Sequence, residues 1–123
     1  MRAFLCLGLG LFDVLLGATA VFFPRAYAEL FHPHLANPPI DFIARTGCLW
    51  LFFATVEFFA FYKKTALWFF AVGLLRLLDV PADLVYGTLA AGASALSRAA
   101  IFFAPPFNLA AGLYLCVPAL KEK

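Results

Sequence analysis

Charge is scarce in this chain. Of 123 residues only 13% are charged while 65% are hydrophobic, whereas a soluble domain carries about 25% charged and about 45–50% apolar residues. That balance excludes an ordinary water-soluble domain and describes a membrane protein. The net charge of +2, with no patch of basic residues, excludes a nucleic-acid surface. Three cysteines, Cys6, Cys48 and Cys116, stand apart in apolar surroundings. With no C-x-x-C pair they read as small buried hydrophobes rather than a zinc site or a disulfide framework. His32 and His34 flank Pro33 without further His or Cys nearby and read as surface-loop residues, so no metal is expected. G-x-S-x-G, H-E-x-x-H, P-loop and haem-attachment patterns are also missing, so no catalytic residue and no cofactor is expected.

What the chain does have is long apolar runs. A bilayer core about 30 Å thick needs about 20 apolar residues of helix, and four segments meet that length: residues 3–23, 41–62, 65–86 and 97–117. Pro24, the Lys63–Lys64 pair, Gly87 and Pro118 end them in turn. The first resembles a signal peptide, because Arg2 precedes an apolar run and "ATA" offers a small-x-small site. Asp13 interrupts that run, and the run continues through Phe23, so a retained first helix is expected. Residues 24–40, which open with "PRAYAELFHPHLANPP", are too polar to span and predict a short interfacial helix near 25–31. The weakly polar "GTLAAGASALS", 87–97, joins the last two spans. The fold class expected is therefore all-α: a single-domain integral membrane protein, an antiparallel four-helix bundle. Lys and Arg favour the cytoplasmic side. Five of them (Arg2, Lys63, Lys64, Lys121, Lys123) against three (Arg25, Arg45, Arg98) put both termini in the cytoplasm.

The few ionisable groups inside the spans are the candidate site. "LLRLLDVPADLVYG" carries Arg76, Asp79 and Asp83 at i, i+3 and i+7, one helical face about 10 Å long. A charge at the bilayer centre costs about 2.5–3.5 kcal/mol on the lenient scale, so these groups should face inward and pair. Depth then suggests two layers: Asp13, Arg76 and Asn108 at the midplane, and Arg45 with Asp83 or Asp79 further out. Arg76 and Arg45 are the expected anchors for an anion or carbonyl, Asp13, Asp79 and Asp83 their counter-charges, and Asn108 a neutral donor and acceptor. Pro81 removes one backbone hydrogen bond and predicts a kink that opens the outer end of its helix. Glu57 is read as an interfacial group near Lys63 and Lys64, with a proton site as its alternative role. Small residues such as Gly8, Gly10, Gly17 and Gly112 allow close helix contact.

The segments "GLFDVLLGATAVFFP", "FIARTGCLWLFFATVEFF" and "PPFNLAAGLYL", with a basic turn and a third helix bearing a mid-span Arg, resemble the DoxX-like superfamily of small bacterial four-helix membrane proteins. The resemblance implies a bundle in the bacterial inner membrane and, as in some members, association with quinone-linked redox enzymes. The function expected is non-catalytic: binding a lipophile with a polar head, a quinone or lipid, or serving as accessory subunit to a membrane-protein partner or a second copy. The alternatives are a small proton-coupled transporter acting as an oligomer, using Asp13, Glu57 or Asp79, and a component of a membrane oxidoreductase.

Overall fold

The computed structural model describes residues 1–89 and 93–121. Among them the chain forms five helices and no strand: α1 (Arg2–Phe22), α2 (Pro24–Phe31), α3 (Ile40–Lys63), α4 (Ala66–Leu89) and α5 (Ala95–Lys121). α4 runs past Gly87 and α5 past Pro118, although both residues were expected to end their helices. Part of the expected connection at 87–97, residues 90–92, lies outside the described residues, as does Lys123.

The helix ends follow local chemistry. Pro24 has no N–H with which to continue the ladder of α1, so it opens α2 instead, at a position where that N–H is dispensable. Lys64 adopts the left-handed conformation (φ 53°) and donates its N–H to the Ala60 carbonyl at 3.0 Å. This caps α3 and turns the chain at once into α4. The Ser94 hydroxyl accepts the Ser97 N–H at 3.1 Å, capping α5, while the Ser94 N–H reaches back to the Phe31 carbonyl at 3.0 Å. That bond ties the start of α5 to the end of α2. α4 includes Pro81 and continues to Leu89.

α1, α3 and α5 are each long and apolar enough to cross a membrane, with mean hydropathies of 2.1, 1.4 and 1.7. α4 is as long as α3, but every 18-residue stretch of it contains Arg76, Asp79 and Asp83. Burial resolves this conflict. Arg76 is 5% exposed while Leu67, Leu78 and Leu84 on the same helix are more than half exposed. The charged side faces in and the apolar side faces out, an arrangement suited to lipid contact and costly in water. Phe4, Phe12 and Phe102 are exposed in the same way on other helices. The hydroxyls of Thr19, Thr46 and Thr55 donate to the carbonyls four residues earlier, which satisfies them without water. The chain is thus a multi-pass membrane protein by length, composition and the face its helices expose.

Lipid offers no hydrophobic drive for helix association, so close approach must come from small residues. Two pairs show it. A Cβ on Gly17 of α1 would stand 2.8 Å from the Gly47 carbonyl oxygen of α3, and a Cβ on Gly47 would stand 2.8 Å from the Gly17 oxygen. Gly73 of α4 and Gly112 of α5 repeat this reciprocity at 2.9 Å. Phe58 against Gly10 and Ile101 against Gly87 give the register, so α1 and α3 run antiparallel, as do α4 and α5. The tight Lys64–Thr65 turn makes α3 and α4 antiparallel too, with Phe59 stacked on Trp68 at 5.4 Å. α2 lies across one end, burying Ala28 against Ala20 and Ile43.

Backbone oxygens cannot retreat as a flexible side chain would, so Gly17→Ala and Gly73→Ala should each destabilise the protein by about 1–3 kcal/mol through overpacking. Gly8→Ala, whose Cβ would meet nothing within 4 Å, should leave stability unchanged or raise it by up to about 1 kcal/mol. Thermal unfolding of the three variants in one detergent compares them directly.

Candidate functional site

α1, α3 and α4 converge on one guanidinium. Arg76 Nη2 donates to Asp13 Oδ2 at 2.5 Å and to Glu57 Oε1; Nε donates to the same Glu57 oxygen at 3.0 Å, and Nη1 to Asp79 Oδ2 at 3.3 Å. Four hydrogen bonds thus engage a group with five N–H donors. Asp13 is 1% and Glu57 0% exposed, whereas the Asp79 side chain is 22% exposed. The site therefore has a sealed centre and one member that reaches its edge.

Three carboxyls share one cation. If all were ionised, the cluster would carry a net charge of −2 in a medium where even one unpaired charge is costly. The second Glu57 oxygen, Oε2, is fully buried and accepts no hydrogen bond. An ionised carboxylate left with a bare oxygen forfeits several kcal/mol of hydration. One proton on Glu57 halves that excess to −1, and a neutral carboxyl leaves its bare oxygen at a much smaller cost than an ionised one; a second proton on a neighbouring carboxyl balances Arg76.

The geometry confirms the expected pairing of Asp13 with Arg76 and corrects three expectations. Glu57 does not rest at the interface with the lysines; Lys63 and Lys64 lie over the rings of Tyr62 and Phe61. Side chains on a helix lean toward its N-terminus. Arg76 therefore leans toward the α3–α4 turn and Glu57 leans away from it, which closes a difference in depth of about 6 Å. Arg45 is exposed and forms no ion pair with Asp83. It precedes Glu57 by twelve residues, which rotates it about 120° away from the face that meets α4. Asn108 does not join the midplane layer: its Nδ2 donates to Asp83 Oδ2 at 2.9 Å. It leans toward the start of α5, the end where Asp83 lies.

Beyond Asp83 the same α4 face presents Tyr86, whose hydroxyl meets His32 Nε2 while the two rings stand edge to face at 5.7 Å. His32, expected as a surface-loop residue, instead caps the end of α2 and meets α4 at Tyr86. Burial holds the His32 imidazole below its ordinary pKa. Burial, followed by the neighbouring Tyr86, pushes the Tyr27 phenol well above the usual range. A cavity of about 380 Å³ adjoins His32, lined also by Arg25, Glu29, Asn37 and Ile40.

With this geometry established, comparison adds no relative: no family model, no curated protein and no solved structure matches the chain.

His32 supplies a pH signature. Its folded pKa lies below the ordinary 6.5, so below that value the unfolded chain binds the proton more readily than the folded one. The stability linked to neutral His32 should be fully present above pH 6.5 and decline as pH falls through and below it. His32→Gln, which keeps a hydrogen-bonding side chain without the titration, should lessen that decline in melting curves recorded across the acidic range.

Proposed function

We propose that the protein is a small proton-coupled protein of a bacterial inner membrane, in which four spanning helices form an antiparallel bundle with both termini cytoplasmic and the Arg76 cluster binds protons. The observation that carries this reading is the saturation of Arg76 by three carboxyls, together with the bare, buried Glu57 Oε2. An anchor for an anion or a quinone carbonyl needs free donors, and Arg76 keeps only one of its five. A proton needs none.

Four helices leave little room for alternating access within one chain. The proton site therefore serves an assembly, formed with a second copy or with another membrane protein, and the chain contributes binding rather than catalysis. The outline shared with the DoxX-like superfamily supports the membrane and the bundle; it supplies no role for Glu57. Asp13 and Glu57 are the proton-binding groups, Arg76 the cation that holds them, and Asp79 the member nearest the exterior.

A second reading has its own support. The cavity lined by Arg25, Glu29 and His32 offers charges of both signs at the end where α2 lies. A lipid or quinone head group is better accommodated there than at Arg76.

Infrared difference spectra of the protein in lipid at neutral pH test the first reading. A carboxylic-acid C=O band that shifts in heavy water and is lost in Glu57→Gln or Asp13→Asn is the expected result. A cluster with no such band, and a melting temperature raised by sodium instead, would show that a metal cation rather than a proton balances the charge.

A further inference from the structure

One face of α4 reads Phe69, Val72, Arg76, Asp79, Asp83, Tyr86, with steps of three and four residues that keep all six in line. The face changes character at Arg76. Before it, Phe69 and Val72 are 6% and 0% exposed and join Cys6, Leu9, Ala60 and Leu115 in a single apolar core contributed by all four long helices. After it, each step is polar and better exposed: Asp79 at 22% for its side chain, Asp83 half-buried on Asn108, and Tyr86 at 41% on His32.

An apolar core one to two turns deep on one side of a buried charge, and a polar ladder on the other, make the two directions unequal. Water and protons follow hydrogen-bonding groups and are excluded from packed hydrocarbon, where no partner can replace their solvation. Neighbouring rungs at i+3 and i+4 lie about 5–6 Å apart at Cβ, a spacing that side chains and single waters bridge. From these observations we infer that the cluster has one entrance: protons reach Asp13 and Glu57 from the α2 end, by way of His32–Tyr86, Asp83–Asn108 and Asp79, and are blocked from the Lys63–Lys64 end by the Phe69–Val72 core. The inference rests on the proton-binding reading above and adds its sidedness. In the orientation proposed there, the entrance faces away from the cytoplasm.

The groups that face Glu57 fit this direction. α1 presents Asp13 and Cys6, and α4 presents Arg76 and Asp79. Of the three carboxyls on Arg76, Asp79 is the one partly exposed, and it stands on the α2 side of the guanidinium. Toward the opposite end the nearest cation on α1, Arg2, lies over the Phe69 ring at 5.1 Å, beyond the apolar core from the cluster.

Accessibility to a charged, membrane-impermeant methanethiosulfonate reagent tests the inference in sealed vesicles. The background carries Cys6→Ala, Cys48→Ala and Cys116→Ala. In that background His34→Cys marks the α2 side and Tyr62→Cys the other. Asp83→Cys and Tyr86→Cys should label whenever the reagent is on the side that labels position 34, and Val72→Cys should label from neither side. Two substituted rungs are used so that a folding defect in one leaves the other to decide. Protection of both rungs in vesicles where position 34 reacts would overturn the entrance, as would labelling of Val72→Cys from the Tyr62 side. Labelling at position 83 without the carboxylic-acid band would refute the proton-binding reading alone; the band without labelling would refute the entrance alone.

Discussion

The rest of the structure depends on the burial of one guanidinium. Arg76 lies on a helix whose remaining surface is suited to lipid, and it cannot be neutralised by losing its proton. It must therefore be met by acceptors. Those come from three helices, Asp13 on α1, Glu57 on α3 and Asp79 on α4 itself. Each contact fixes the rotation and depth of the helix that makes it. Replacing a buried ion pair with apolar groups is often neutral or stabilising, whereas removing one partner typically costs about 3–5 kcal/mol. The cluster is therefore a poor device for stability alone. It specifies one arrangement of α1, α3 and α4, and its surplus of carboxyls gives that arrangement a chemistry.

Packing completes what the charges begin. The reciprocal glycine contacts, Gly17 with Gly47 and Gly73 with Gly112, bring backbones together in two pairs, α1 with α3 and α4 with α5. Among the described residues α5 adds no hydrogen bond to Arg76; it joins through Gly112 and through Asn108 on Asp83. The charged cluster thus ties one glycine-packed pair to the other, with Glu57 and Asp13 on one side and Arg76 on the other. α2 closes one end and brings His32 to Tyr86, so the polar face of α4 ends among polar groups of the loop rather than in lipid.

The first spans were legible from the sequence because long apolar runs bounded by Pro24 and the lysine pair leave little choice of length. Asp13 with Arg76 was legible because both lie near the middle of their spans and carry opposite signs. Depth alone misled elsewhere. Arg45 and Asp83 are nearly level, yet rotation about α3 separates them, and no count of residues from a turn reveals which way a helix faces. Glu57 was drawn toward the lysines by nearness in sequence, although the lean of side chains toward the helix N-terminus favours Arg76 and was available as a signal. His32 was not legible at all, since its partner lies 54 residues away and only the path of the loop connects them.

The most direct measurement is a double-mutant cycle on Arg76 and Glu57 in the intact protein, with Arg76→Leu, Glu57→Leu and the pair compared by reversible unfolding in one detergent. If the guanidinium organises the fold, Arg76→Leu leaves the buried carboxyls without their cation and loses about 3–5 kcal/mol, while Glu57→Leu loses the contact that ties α3 to α4 but leaves Arg76 on Asp13 and Asp79. The double variant should then be far more stable than the sum of those losses predicts, with a coupling of at least about 1–3 kcal/mol. Strictly additive losses would contradict the account, because they would mean that Arg76 and Glu57 do not depend on one another and that something other than their contact holds α3 against α4.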